Sequence, residues 1–395
     1  GVGTIAIPMM KEAGYSADDA GAIEAVSASG GLIMPPVMGA AAFIMAENLG
    51  LPYSTIVLAA ILPATLYYMA LLFTVDFIAG RQGLTGMPPE KLPKFTEVVK
   101  GGYLYILPML ILIYFICIAK TSAQRAAFWG FLSIVVLYAV QKIGKEKDVK
   151  GYLKMMFGIL VDGSRQAVSI IAACACAGII VGVISLTGLG LTLSSALVDL
   201  AGGSLFLLLL YTAIACVILG MGLPVTACYI ILAVLAAPAI VKLGVPAIAA
   251  HLFVMYYGVL SNITPPVALA SYVAAGISKS KPLSVAVTSC KMGIVLFVLP
   301  FMFVYQPVLI LQNVQAVELV IALVTSVLGV ISISGGFQKY LLRTATVLES
   351  ILLIAGGFLM LYPEHITDLF GIAMVALVFL LQWRSRRVPT NNTVN

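Results

Sequence analysis

The stretch Ser261-Asn262-Ile263-Thr264-Pro265-Pro266-Val267 decides how the rest of the chain is read. It interrupts a long apolar run with polar side chains and two prolines. Proline has no backbone donor and restricts the residue before it, so a pair forces extended chain and frees the carbonyls and amides on either side. In hydrocarbon an unpaired backbone group is expensive, and such a break persists only inside protein or beside a polar cavity. A second copy stands 230 residues upstream, Ser29-Gly30-Gly31-Leu32-Ile33-Met34-Pro35-Pro36-Val37.

Composition supplies the solvent. Of 395 residues 62% are hydrophobic and only 10% charged, and the mean hydropathy is +1.10, whereas soluble domains carry about 25% charged residues. Apolar runs of bilayer-spanning length recur throughout, so the chain is an all-α polytopic membrane protein with no soluble domain. Its formal net charge of +6 gathers in short loops, which suits orientation in a lipid bilayer and excludes a nucleic-acid partner. The six cysteines, Cys117, Cys174, Cys176, Cys216, Cys228 and Cys290, lie in apolar runs without CxxC or Cys/His clustering. They signal neither a disulfide scaffold nor a zinc site and read as packing residues. The sequence opens at Gly1 in mid-pattern, without a signal peptide, so a further N-terminal part is expected in the natural protein.

In chain order, residues 4–13 read as the end of a membrane helix closing at Lys11, Glu12 and Gly14. Limbs at 16–30 and 36–48 flank the first break. The second limb is ~20 Å long against a ~30 Å hydrocarbon core, which predicts a re-entrant hairpin. Residues 53–80 form a long span, and 81–102 a polar connector with Arg81, Pro88, Pro89, Lys91, Pro93, Lys94 and Lys100. Spans at 103–119 and 122–141 turn at Lys120 and Arg125, and the densest basic stretch follows, Lys142, Lys145, Lys147, Lys150 and Lys154. Residues 149–165 alternate as an interfacial helix would, 166–187 span, and 188–203 are small and polar. The run 204–243 is interrupted at Gly220-Met221-Gly222-Leu223-Pro224. A second limb pair, 246–261 and 267–278, precedes spans at 283–307, 314–333, 344–362 and 367–383 and the basic end Trp383-Arg384-Ser385-Arg386-Arg387.

The positive-inside rule makes the clusters at 81–100, 142–154 and 384–387 cytoplasmic. Span 53–80 then runs inward and 283–307 outward, while Lys279 and Lys281 have no basic counterpart in Glu47-Asn48-Leu49-Gly50. The same 230-residue offset pairs Pro8 with Pro238, Gly14 with Gly244, Ala20 with Ala250, Ala40 with Ala270 and Pro52 with Pro282, without a gap. Shared composition is the plain alternative, but agreement at prolines on both sides of the double proline favours a repeat. Related halves of opposite orientation, with broken helices, are how many secondary transporters build their sites. The expected organisation is a first repeat at 1–80, connecting spans at 103–187, a second repeat at about 204–307, and a three-span extension with basic tail at 311–395. The partner of Gly220-Met221-Gly222 would fall before Gly1.

Freed carbonyls at a helix break favour small cations and freed amides favour anions. Ser261, Asn262 and Thr264 in one break, Ser27, Ser29, Gly30 and Gly31 in the other, and Gly220, Gly222 and Thr226 supply the oxygens and close backbone that sodium coordination needs. Pro35, Pro36, Pro265, Pro266 and Pro224 hold the breaks. The alternative is a kinked helix whose hydroxyls only repair local backbone. Glu24 and His251, in the limbs beside the breaks, are the candidates for proton coupling or substrate contact, against a structural hydrogen bond. Asp76, Asp199, Lys11 and Lys242 read as boundary charges and His365 as a loop residue.

Gly14-Tyr15, Ala22-Ile23-Glu24-Ala25-Val26, Ser29-Gly30-Gly31, Met34-Pro35-Pro36-Val37-Met38-Gly39-Ala40-Ala41-Ala42-Phe43, Gly220-Met221-Gly222-Leu223-Pro224, Ala250-His251-Leu252-Phe253 and Ser261-Asn262-Ile263-Thr264-Pro265-Pro266 together resemble the large membrane subunit of TRAP (tripartite ATP-independent periplasmic) transporters. The wording is closest to fused permeases that work with TAXI-type receptors, and covers about 1–310. The resemblance implies a prokaryotic inner membrane, an elevator-type fold with re-entrant hairpins, sodium-driven uptake of an organic anion, an extracytoplasmic receptor, and a small-subunit region fused upstream. No other cofactor is implied. Carrying a divalent anion into a cell at ~100 mV, negative inside, costs ~4.6 kcal/mol, so at least two monovalent cations must accompany it. Protons would need titratable groups, which the breaks themselves lack, and Glu24 and His251 keep proton coupling open. A membrane-embedded enzyme is the competing class. The sequence shows no HExxH, no paired aspartates in facing spans and two histidines, so it is not read as an enzyme.

Overall fold

The computed structural model describes residues 2–86, 94–146, 149–362 and 364–386. Four helices open the chain: α1 (Gly3–Glu12), α2 (Ala17–Gly30), α3 (Ala40–Leu49) and α4 (Tyr53–Gln82). α5 (Phe95–Ile113), continued by a π-helical turn at Tyr114–Ile118, leads to α6 (Ala123–Glu146), α7 (Val149–Thr187) and α8 (Leu189–Leu200). Then come α9 (Leu205–Gly220), α10 (Val225–Leu235), α11 (Ala237–Lys242), α12 (Ala247–Leu260), α13 (Leu269–Ser278), α14 (Pro282–Met292) and α15 (Ile294–Tyr305). The extension holds α16 (Ala316–Gln338), α17 (Val347–Leu359) and α18 (His365–Arg386). Pro88, Pro89, Lys91 and Pro93 of the connector lie outside the described residues, as do Lys147, Arg387 and the side chains of Lys142, Lys145 and His365.

Among the described residues, by length and composition, four helices can each cross a membrane, and two bent pairs raise the number to six. Thr96–Ile118 buries only 6% of its most apolar window inside the protein, so its aliphatic surface faces lipid. The chain is thus an all-α, multi-pass membrane protein. Two expectations change in this region. Residues 149–165 and 166–187 are one unbroken helix, α7, because nothing stronger than Gly158 or Gly163 interrupts it. The small residues at 188–203 form α8, which meets α9 at 120°.

The repeat is written in the backbone. Helices α2 and α12 begin and end at the same offset of 230 residues. Gly14 and Gly244 precede them at φ 103° and 87°, and Met38 and Ala268 follow the breaks at φ 47° and 37°. Non-glycine residues with positive φ are uncommon, so their recurrence at equivalent positions is not a matter of shared composition. Both Pro35-Pro36 and Pro265-Pro266 bonds are cis.

Chain direction follows from side-chain contacts. At one end Lys11 Nζ donates to Ser278 O at 3.1 Å, and Asp18 accepts the hydroxyls of Ser280 and Ser284. The start of α2 therefore lies beside the end of α13, against which it packs. At the other end Asn48, closing α3, and His251, opening α12, both reach the Tyr229 hydroxyl. The pairs α2–α3 and α12–α13 run antiparallel with their breaks side by side, which gives the two halves opposite orientation.

This geometry corrects the hairpin expectation. The limbs α2 and α3 do not lie along one another, nor do α12 and α13; α2 packs on α13 and α3 on α12. Each pair is one helix running through the protein with an unwound middle. A limb alone is too short to span, but 24 helical residues in line reach ~36 Å, enough for the hydrocarbon core. The segment that folds back is α9–α10, where Cys228 Sγ lies 3.8 Å from Cys216 O across the Gly220–Pro224 tip.

Basic residues from distant segments share one end. Besides Lys11, Arg81 Nη1 donates to Gln338 O at 3.1 Å and Arg343 Nε to Ser385 Oγ at 2.7 Å. This is the clustering that the positive-inside orientation requires. The extension attaches through α16 on α4, with Thr74 Oγ1 3.2 Å from Ser334 Oγ and α17 packed behind it.

Candidate functional site

Three interruptions build the centre of the molecule. In the second break α12 ends at Leu260, one 3-10 turn covers Ser261–Ile263, and Thr264 is extended before the prolines. The Ser261 hydroxyl, 2% exposed, donates to Gly258 O at 2.7 Å, and Thr264 Oγ1 donates to Leu260 O at 2.8 Å. Each hydroxyl thereby spends its only proton on a helix carbonyl and keeps oxygen lone pairs for another partner. Such bonds repair local backbone, as the plain reading expects, and they also fix oxygens as acceptors. Asn262 is half-buried beside them.

The first break is built alike. Ser29 is buried and donates to Ala25 O at 2.8 Å. A Cβ on Gly30 would sit 2.6 Å from Tyr67 Cε1 and 2.9 Å from Tyr68 Cζ, so only hydrogen fits. Gly31 is exposed and Ser27 half-buried; the Ser27 carbonyl accepts from Tyr68 OH at 3.0 Å. Pro36 O accepts from Tyr53 OH at 2.9 Å. The end of α2 touches the 261–263 turn, which brings the two breaks into contact.

The fold-back tip meets the second break directly. A Cβ on Gly220 would lie 2.4 Å from Ser261 Oγ and 3.3 Å from Cys228 Sγ. Gly222, at φ 88°, stands open at the tip. Pro224 caps α10, and Thr226 is half-buried in its first turn. The C-terminal ends of α9 and α12 thus converge, and the negative ends of two helix dipoles meet there, a polarity that suits a small cation.

The two titratable candidates lie elsewhere. Glu24 is half-buried against Gly3 of α1, where a Cβ would meet its Oε1 at 3.0 Å. His251 Nδ1 is 2.8 Å from Tyr229 OH, and it sits ten residues before the break, ~15 Å along α12. That bond ties α12 to α10, the structural role weighed for it from sequence.

Sequence reasoning missed the tyrosines. Tyr67 OH donates to Val26 O at 2.8 Å, and Tyr257 OH donates to Phe297 O. At the repeat offset Val26 and Tyr67 correspond to Tyr256 and Phe297, so to within one residue the same two elements are stitched in each half, with donor and acceptor exchanged. The available signal was a hydroxyl in an otherwise aliphatic run, since a buried tyrosine normally finds a partner.

A family model described as "Tripartite ATP-independent periplasmic transporter, DctM component" matches residues 1–317. No curated protein matches the chain.

Proposed function

We propose, because the chain belongs to the DctM component family of tripartite ATP-independent periplasmic transporters, that it is a permease driving uptake of an organic carboxylate with a sodium gradient. Membership makes it a secondary-transporter membrane component that works with a periplasmic substrate-binding receptor and a small membrane component. The finer reading is ours: a TAXI-type receptor, a prokaryotic inner membrane, an elevator movement, and sodium as the coupling ion.

The observation that carries the sodium reading is the apposition of Gly220 with Ser261 at a break whose hydroxyls already donate to carbonyls. Such a site offers oxygen acceptors and no acidic proton. Ser29, Gly30 and Gly31, in the equivalent break alongside, supply the oxygens for a second ion; Asn262, Gly222 and Thr226 complete the candidate shell. Proton coupling would fall to Glu24 and His251, both displaced from the breaks.

The test is receptor-dependent uptake of candidate carboxylates by the complete assembly in proteoliposomes, with sodium and pH gradients imposed separately. Uptake that follows sodium, with a higher half-saturating sodium concentration in Thr264→Ala and unchanged receptor docking, supports the reading. Uptake that ignores sodium, follows pH and loses its pH dependence in Glu24→Gln or His251→Gln overturns it.

A further inference from the structure

At the basic end, a cavity of about 620 Å³ opens between the two repeats and the extension. Its polar wall combines Arg81 of α4, Lys291 of α14 and Lys339 at the end of α16, with Asp19 of α2 as the acid. These four residues come from segments up to 320 positions apart in sequence, so only the fold assembles them. Asp19 can offset at most one of the three positive charges. Its carboxylate already accepts the Ser16 hydroxyl at 2.8 Å and the Gln82 amide at 3.0 Å. Arg81 spends one donor on Gln338 O, which leaves the rest of its fork free, and among the described residues neither lysine ammonium has a carboxylate within 4.0 Å. Three cations facing one occupied acid leave the cavity with an uncompensated positive charge.

Thr288 and Gln338 complete the polar lining, and the rest of the wall is apolar. Met292 and Ile78 are buried, and Phe337 is 41% exposed beside them. A cluster of bases over an aromatic and aliphatic surface, at the membrane end where the cytoplasmic loops gather, matches an anionic headgroup above and an acyl chain below. Basic pockets between spans on the cytoplasmic side bind anionic lipid headgroups in this way. Arginine and lysine also complement each other chemically, the fork for two phosphate oxygens and the ammonium as a point charge.

We propose that this cavity binds a phosphate group, held by Arg81, Lys291 and Lys339. The group could be brought by an anionic phospholipid or by free phosphate, and the experiment separates the two. Occupancy would join α4, α14 and α16, locking the extension to both repeats.

The purified full chain is studied by native mass spectrometry after equilibration with phosphatidylglycerol, with phosphatidylcholine, or with inorganic phosphate at millimolar concentration. Lys291→Gln/Lys339→Gln serves as the variant, because both side chains are exposed at the rim, and its melting curve and elution volume check the fold. The expected result is retention of phosphatidylglycerol at least tenfold above phosphatidylcholine, reduced at least fivefold in the variant. Retention that vanishes when inorganic phosphate competes, with phosphate itself bound, upholds the group and names the free ion as its source. Equal retention of both lipids together with no phosphate binding, or equal binding by wild type and a folded variant, overturns the proposal. Neither result depends on which ion or carboxylate the transporter carries.

Discussion

Gly220 is the residue on which the site turns most sharply. A methyl group there would find Ser261 Oγ at 2.4 Å and Ser261 Cβ at 2.7 Å, so Gly220→Ala must push the tip away from the break. Overpacking of this kind costs about 1–3 kcal/mol, and uptake should fall at least tenfold. Gly220→Ala/Ser261→Gly removes both opposing atoms, so scanning fluorimetry should show the melting temperature recovered, while sodium activation stays weak because the Ser261 oxygen is gone. Recovery of both would remove Ser261 from the ion shell. Tyr257→Phe tests the stitching separately: losing the bond to Phe297 O should cost about 1 kcal/mol of stability with the sodium dependence unchanged. At this scale the sequence announced the breaks, because proline pairs, glycine and hydroxyls inside apolar runs have few other reasons to be there. It did not announce Tyr67, Tyr229 or Tyr257, whose partners lie 22 to 41 residues away and become visible only once helices are placed.

Helix boundaries were legible where a strong breaker marks them. α2 and α12 start after Gly14 and Gly244 and stop at the breaks, as the pattern required. What the pattern could not settle was whether the chain continues or returns after an interruption, because that depends on which neighbours each limb buries against. α2 buries Ala22, Ala25 and Val26 and packs on α13 and α14, while α3 packs on α10 and α12; the limbs therefore diverge. Labelling distinguishes the two geometries. Glu12 and Glu47 are both exposed, and the through-running path puts them at opposite faces. In a background whose own cysteines are silent, Glu12→Cys should react with an impermeant thiol reagent from the basic side, and Glu47→Cys from the other. Reaction of both from one side would restore the hairpin.

Across the whole molecule, the two repeats form one packed body with α16 fastened to α4, whereas α5 and α6 meet it through the π-helical turn and α7 meets it through α10. The elevator movement proposed above needs one of these groups to slide past the other, and the attachment of α16 to α4 predicts that the extension travels with the repeats. Thr74 and Ser334 hydroxyls are 3.2 Å apart, which makes Thr74→Cys/Ser334→Cys the pair to cross-link by a disulfide between α4 and α16. Because that bond joins elements of one body, oxidised protein should take up substrate at the rate of reduced protein. The opposite case is α8, at the far end of α7, where a Cβ on Gly190 would lie 3.8 Å from Val234 Cγ1 of α10. A Gly190→Cys/Val234→Cys disulfide ties the α7–α8 arm to the fold-back segment beside the site. Oxidation should stop uptake, and reduction should restore it within the same vesicles. If instead the α4–α16 link is the one that arrests transport, the extension belongs to the stationary group, and the moving body is smaller than the two repeats.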